Sequence, residues 1–135
     1  MKGIYCILMC LNRRRNIRVA KLGLIPFKKG YYCYVGSALN NLEKRIKRHI
    51  SKSKKMKWHI DYLLKYAAII GARIIITSRK LECLMNKRIE EISTETIKTF
   101  GSTDCKCTGH LHYFNKNPLS YAVINNLKNL DFQKS

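Results

Sequence analysis

Arg45 and His49 stand one helical turn apart in a stretch whose apolar positions, Leu42, Ile46 and Ile50, recur at helical spacing. At about 100° per residue the pair lies at one border of that apolar stripe, where a cation and an imidazole can reach into a cleft instead of open solvent. Upstream, Gly3-Ile4-Tyr5 and Tyr34-Val35-Gly36 place one phenol in each of two short apolar runs. Neither tripeptide is informative alone. With the helix they offer two hydroxyls, a guanidinium and an imidazole, a set suited to gripping an anion and moving a proton beside it. A free phenol, with a pKa of about 10, is a poor base at neutral pH, so a phenol in that role needs a cation beside it. Farther along, Cys105, Cys107, His110 and His112 form C-x-C-x-x-H-x-H, four donors that a tetrahedral Zn²⁺ accepts. Ligands this crowded rarely close a structural site unaided, so zinc is disfavoured, as is a Cys105 to Cys107 disulfide in a reducing compartment.

These side chains need strands and helices to hold them. Ile4 to Leu11 is apolar on both alternating faces, which predicts a central strand covered on two sides. Arg13 to Asn16 make a polar turn, and Ile17 to Leu22 alternate as a second strand ending at Gly23 and Pro26. The aromatic run Tyr31 to Val35 predicts a third strand between Gly30 and Gly36. Asn40 or Asn41 can cap the helix that carries Arg45 and His49. Trp58 to Tyr66 predict a short helix. Ala67 to Thr77 is interrupted by Gly71 and ends in a buried strand from Ile74, and Leu81 to Ile92 keep helical spacing. Phe100 to Asn117 reads as a loop, and Asn117-Pro118 opens a C-terminal helix over about 118–130. Without repeats or linkers, one domain over 1–135 is expected, its core in about 1–114.

The 135 residues hold 27 Lys and Arg against 8 Asp and Glu, a formal net charge of +19, far beyond what solubility asks. No acid precedes Glu43. Arg13, Arg14, Arg15, Lys44, Lys47, Arg48, Lys54 and Lys55, with Lys52 between them and His59 nearby, are candidate contacts to a polyanion whose binding weakens steeply with salt. A Lys-rich thermophile surface would carry Glu alongside. No apolar run approaches the roughly 20 residues that span a bilayer, and the N-terminus lacks a small-residue cleavage site. Nucleic acid is therefore the expected partner and a membrane is not. The six cysteines read as reduced thiols of a cytoplasmic protein.

In order, the blocks Gly3 to Tyr5, Tyr34 to Ala38 and Glu43 to His49 resemble the GIY-YIG nuclease superfamily, in which G-I-Y and Y-[IV]-G strands precede a helix bearing R-x-x-x-H. More narrowly, Gly30 to Leu39, Trp58 to Leu63, the Glu82-Cys83 pair and Ser102 to Tyr113 look like its archaeal branch of small stand-alone domains. The resemblance implies an α/β fold of α+β type, a central three-stranded antiparallel sheet with room for an extra strand, flanked by helices. It implies a metal-dependent endonuclease that hydrolyses phosphodiester bonds, structure-selective and acting on DNA in preference to RNA, with one Mg²⁺ or Mn²⁺ per site. Tyr5 would activate or orient the attacking water, assisted by Tyr34; Arg45 would hold the scissile phosphate; His49 would support the nucleophile. Glu82 would bind the metal, which stabilises the departing oxygen. One carboxylate suffices, since Mg²⁺ keeps several waters and leans on substrate phosphate. Dipole stabilisation at a helix start would by itself explain Glu82; its place beside Ile89, at the border of the buried stripe, favours the ligand role. The Cys105 to His112 loop would pack over the sheet with Asp104 and His110 near the reacting face. Many superfamily members carry a further DNA-recognition domain and none fits here, so target choice is expected from this domain, a partner or nucleic-acid shape. Two other readings stay open: a catalytically silent nucleic-acid-binding module of the same fold, and a zinc-held RNA-binding protein.

Overall fold

The computed structural model describes residues 2–51, 54–102 and 105–129; Lys52, Asp104 and Leu130 lie outside the described residues. In chain order the elements are β1 (Gly3–Leu11), β2 (Arg15–Arg18), β3 (Leu24–Phe27), β4 (Gly30–Ala38), α1 (Leu42–Ile50), α2 (His59–Leu64), β5 (Ala68–Ile76), α3 (Glu82–Ile92), β6 (Glu95–Ile97), β7 (Leu111–Phe114), α4 (Ala122–Asn125) and β8 (Lys128–Asn129). The chain is a mixed α+β fold built on one antiparallel sheet in the order β6-β7-β4-β1-β5-β8, with β2 and β3 as a separate hairpin. The sheet is six strands wide, not three with one extra.

β1 shows no alternation because both its faces are covered. Side chains of a strand point alternately to opposite faces, and Tyr5, Ile7, Met9 and Leu11 join Tyr32 and Tyr34 on one side while Ile4, Cys6 and Leu8 join Cys33 and Val35 on the other. Leu42 and Ile46 of α1 and Ile60, Leu63 and Leu64 of α2 close the first face. Ile89 of α3 and Ile124 of α4 close the second. A fully buried Leu, Ile or Met contributes about 2 kcal/mol, so Ile7, Leu8, Met9 and Leu11, all wholly buried, make β1 the anchor of both cores. Tyr5 therefore sits on the strand that anchors both cores.

Four expectations are revised. The break at Gly71 is a bulge inside a continuous β5: Leu8 pairs with Gly71 and Met9 with Ile69, leaving Ile70 as the extra residue, and glycine is the usual residue at such a bend. The strand expected over Ile17 to Leu22 is instead a hairpin, β2 with β3, in which Pro26 sits on an edge where no ladder donor is needed. The loop expected over Phe100 to Asn117 contains β7, whose four residues are all buried; with both faces covered they have no period to read. The helix expected over 118–130 becomes a 3₁₀ turn at Pro118–Ser120, the single turn α4 and the strand β8. Asn117 caps the 3₁₀ turn by accepting from the Leu119 N–H, but Tyr121 is extended, and pairing of Lys128 with Ile74 on the edge of β5 outweighs weak helix propensity at Asn125 and Asn126. No helix among the described residues is long and apolar enough to cross a membrane.

Candidate active site and metal cluster

The register of β1 against β4 sets Tyr5 opposite Gly36 and Ile7 opposite Tyr34, which brings the two phenols to one face on a diagonal, ring centroids 6.4 Å apart. Gly36 makes room for this placement, since a Cβ at that position would overlap the ring and hydroxyl of Tyr5 and force it to shift. β7 pairs with β4 only from Tyr31 to Tyr34, with one more bond from the Val35 N–H to the His110 carbonyl at 3.0 Å. Past that point the β4 edge opens into a cleft of about 290 Å³ lined by Tyr5, Tyr34, Arg45, Trp58, His59 and Glu82, together with Gly36, Ser37, Lys57 and Gly101.

Helix α1 delivers the basic and proton-accepting groups. Its apolar face is buried through Leu42 and Ile46, and His49 is buried beside them. The Tyr5 hydroxyl lies 2.8 Å from His49 Nε2. Burial pushes the Tyr5 phenol up to about 12 even though Arg45 pulls it down, and burial drives the His49 imidazole down to about 4 against the nearby Asp61 carboxylate. At neutral pH both rings are uncharged, and the phenol O–H donates to Nε2 in the tautomer that carries the imidazole proton on Nδ1. That nitrogen makes no hydrogen bond among the described residues and faces Asp61 Oδ1 at 4.0 Å. Tyr34, raised chiefly by burial, stays a neutral phenol.

Arg45, which also meets the Tyr5 hydroxyl, makes two further contacts. Its Nη1 donates to the Ser37 carbonyl at 2.9 Å, and its guanidinium lies 4.8 Å over the Trp58 ring. Trp58 also carries Arg48 at 4.4 Å and Lys57 at 4.9 Å, so the indole packs three cations along one wall of the groove. Arg48 is tied inward: both of its terminal nitrogens donate to Asp61 at 3.1 Å. Asp61 in turn accepts the Lys57 and Trp58 N–H groups at 2.8 and 2.9 Å, starting α2. The Arg48 fork and these two N–H groups hold the Asp61 carboxyl below its ordinary pKa, although burial works the other way. Lys54 donates to the last carbonyls of α1, His49 O at 2.5 Å and Arg48 O at 3.3 Å, where a cation complements the helix dipole. His59 fixes the far wall, its Nδ1 accepting the Gly101 N–H at 2.9 Å.

Lys44 joins Arg45 and Arg48 in an adjoining groove, and Lys47 and Lys55 are exposed nearby. Arg13, Arg14 and Arg15 follow the opposite end of β1, about 20 Å of strand away from Tyr5, and Arg15 stacks on Tyr66 at 4.7 Å. The structure does not bring that triplet to the cleft.

Glu82, the first residue of α3, closes the remaining wall. One of its oxygens lies 3.5 Å from His110 Nδ1, a nitrogen that also faces the Val35 carbonyl at 3.2 Å. The other nitrogen of His110 points away from the cleft, 3.1 Å from Cys105 Sγ. There Cys83, Cys105, Cys107 and His110 present one ligand atom each, all within 4.8 Å of one another. His110 is buried, Cys105 and Cys107 are half-buried and Cys83 is exposed. His112 is not part of this group: its Nε2 is 2.6 Å from Asn86 Oδ1 and its Nδ1 2.8 Å from Thr96 Oγ1. Burial holds it down to about 4, which makes it a neutral core residue joining α3 to β6.

Over residues 4–131 the chain matches the family described as "Domain of unknown function DUF123". It belongs to that family. Neither curated proteins nor solved structures gave a match.

In this DUF123 domain two cofactor expectations are corrected. A Mg²⁺ or Mn²⁺ ion on Glu82 does not fit the donors present. Hard cations take oxygen ligands, whereas Glu82 is the one carboxylate among the described residues lining the cleft and already faces an imidazole. The group that can enclose an ion is three sulfurs and a nitrogen, a set for zinc-type binding. Disfavouring zinc because Cys105 to His112 is crowded is corrected too, since the fourth donor is Cys83 on α3 and not His112. Sequence reasoning missed Cys83 as a donor, Asp61 as the partner of both Arg48 and His49, and Asn86 as the partner of His112. Of these only Asp61 carried a local signal, an acid at the third position of a short helix.

Proposed function

We propose that this DUF123 domain is a GIY-YIG-type nuclease that hydrolyses phosphodiester bonds in nucleic acid, DNA in preference to RNA, at the cleft between α1 and α3. The observation that carries this reading is convergence: Tyr5, Tyr34, Arg45 and Glu82, spread over most of the chain, line one cleft, with His49 bonded to Tyr5 behind it. A phosphodiester seated against Arg45 and Lys57 places its phosphorus in front of the two phenols. A water attacking phosphorus gives its proton to the Tyr5 oxygen as the Tyr5 proton passes to His49 Nε2, so no free phenolate is required. Asp61 faces the imidazolium that results, and the negative charge of the bound phosphate offsets the burial and cations that otherwise hold His49 neutral. Arg45 neutralises charge growing on the equatorial oxygens. The departing oxygen leaves toward the wall that Glu82 forms and takes its proton from solvent at the open side of the cleft.

The groove of Lys44, Arg45 and Arg48 beside the cleft and the net charge of +19 support a long polyanionic substrate. The test is cleavage of end-labelled branched, flapped, nicked and single-stranded DNA, and of RNA, across a panel of divalent cations, by wild type, Tyr5→Phe and Arg45→Ala. The reading requires cleavage by the wild type that falls at least a hundredfold in Arg45→Ala, since one electrostatic stabiliser of a transition state is worth about that much. Salt-sensitive binding without cleavage by the wild type would instead establish the silent binding module.

A further inference from the structure

The geometry points to a closed structural zinc site, held by Cys83, Cys105, Cys107 and His110, whose histidine ligand reaches through to orient the carboxylate of the cleft. The proposal stands apart from the hydrolytic reading: the ion sits behind the cleft wall and takes no part in bond breaking.

Three observations carry it beyond the proximity of four donors. The first is size. Tetrahedral zinc with sulfur at about 2.3 Å and nitrogen at about 2.0 Å sets its ligand atoms about 3.7 Å apart; the group here spans at most 4.8 Å, so the widest pair closes by about 1 Å while Cys105 Sγ and His110 Nε2, 3.1 Å apart, open by about half that. Side-chain rotation covers both movements. The second is the back of the histidine. His110 turns Nε2 toward the sulfurs, and its Nδ1 faces the Val35 carbonyl at 3.2 Å and Glu82 at 3.5 Å. Metal-bound histidines characteristically donate their other N–H to a carbonyl or carboxylate, which fixes the tautomer and strengthens the ligand. The third is charge and access. Three thiolates and a dication leave one net negative charge, and Lys87 and Lys106, offset by Glu90 to one net positive charge, line a groove that reaches Cys83 and Cys107 from solvent.

What the ion would secure is visible in the connectivity. Cys105 and Cys107 belong to the segment that leads from Gly101 to β7, and Gly101 packs against Tyr34 on the cleft wall. Tying that segment to α3 holds Glu82, Gly101 and Val35 at fixed separations around the opening.

The experiment uses the full chain purified without chelators. Elemental analysis is expected to give one zinc per chain, and cobalt(II) added to the chelator-stripped protein is expected to give the intense ligand-field and sulfur charge-transfer bands of a tetrahedral thiolate site. Cys107→Ser should abolish stoichiometric zinc, and Glu82→Gln, which leaves all four donors in place, should raise the zinc dissociation constant about tenfold in chelator competition. Cobalt titration of the stripped wild type decides the matter even where Cys107→Ser fails to fold. Octahedral cobalt spectra, or zinc retained at full stoichiometry by a folded Cys107→Ser variant, would overturn the assignment. Metal-free protein that still cleaves nucleic acid would sink the zinc site and leave the nuclease; zinc-loaded protein without cleavage would do the reverse.

Discussion

Replacing Asp61 by alanine removes the carboxylate with the most hydrogen bonds among the described residues. Its side chain is wholly buried, whereas that of its ion-pair partner Arg48 is 27% exposed. Four donors lose the Asp61 acceptor: two guanidinium nitrogens at 3.1 Å, of which Nη2 keeps the Lys55 carbonyl at 2.9 Å, and the Lys57 and Trp58 N–H groups at 2.8 and 2.9 Å. Breaking a buried ion pair from one side costs about 3–5 kcal/mol. Arg48 can turn toward water, which places the loss near the lower end, while the two orphaned N–H groups keep it from falling further, so about 3–4 kcal/mol is expected. Domains of this size are stable by about 5–15 kcal/mol, so a quarter or more of the total is at stake. Urea unfolding should show a lower midpoint at unchanged slope, with melting about 10–20 °C lower. The Asp61→Ala, Arg48→Met double-mutant cycle should return a coupling of about 1.5–3 kcal/mol. Because the folded carboxyl titrates below its unfolded value, its stabilisation is complete above about pH 4 and fades as pH falls through the folded pKa, where the curves of variant and wild type should converge. A cost below about 1 kcal/mol, or no coupling to Arg48, would refute the reasoning.

Three further outcomes follow from the same geometry. His49 and His112, held down from 6.5 to about 4 by burial, stay neutral in the fold while the unfolded chain binds their protons. Stability should therefore be full above pH 6.5 and fall between there and about 4, by about 1.4 kcal/mol per pH unit for each histidine; urea midpoints at neutral and acid pH test this, and a flat profile would contradict it. Gly36→Ala drives a methyl into the Tyr5 ring, which should cost about 1–3 kcal/mol and alter the near-ultraviolet dichroism of the tyrosines; an unchanged spectrum and melting point would show that Tyr5 does not lie over β4. Lys44→Gln and Lys57→Gln should each weaken nucleic-acid binding across sequences and reduce the slope of log affinity against log salt by about one, whereas changes at Lys21, outside the grooves beside Tyr5, should leave the slope near its original value.

What could be read from the chain and what could not divides along range. Tyr5 and Tyr34 were legible through the short blocks Gly3 to Tyr5 and Tyr34 to Gly36, which the register of an antiparallel pair sets side by side; Arg45 and His49 were legible because four residues make one helical turn. These are properties of single elements. The donor group of Cys83 and His110 is a property of two elements of unlike period, and nothing in either sequence announces it. On α3 the residues that face β7 come four apart, Glu82 and Asn86, spaced by about 6 Å of helix rise. On the strand side they come two apart, His110 and His112, spaced by about 6.7 Å of extended chain. The near equality lets Glu82 meet His110 while Asn86 meets His112, and the residue after Glu82 falls beside the Cys105 to Cys107 turn. Reading His110 and His112 as one cluster from their adjacency was thus the wrong inference for a strand lying under a helix: each histidine is claimed by a different helical turn, one with its far nitrogen turned toward sulfur, the other closed between Asn86 and Thr96. Matching helix and strand positions in this way is the step by which unassigned cysteines in the DUF123 family can be sorted into metal donors and core residues before a structure is in hand.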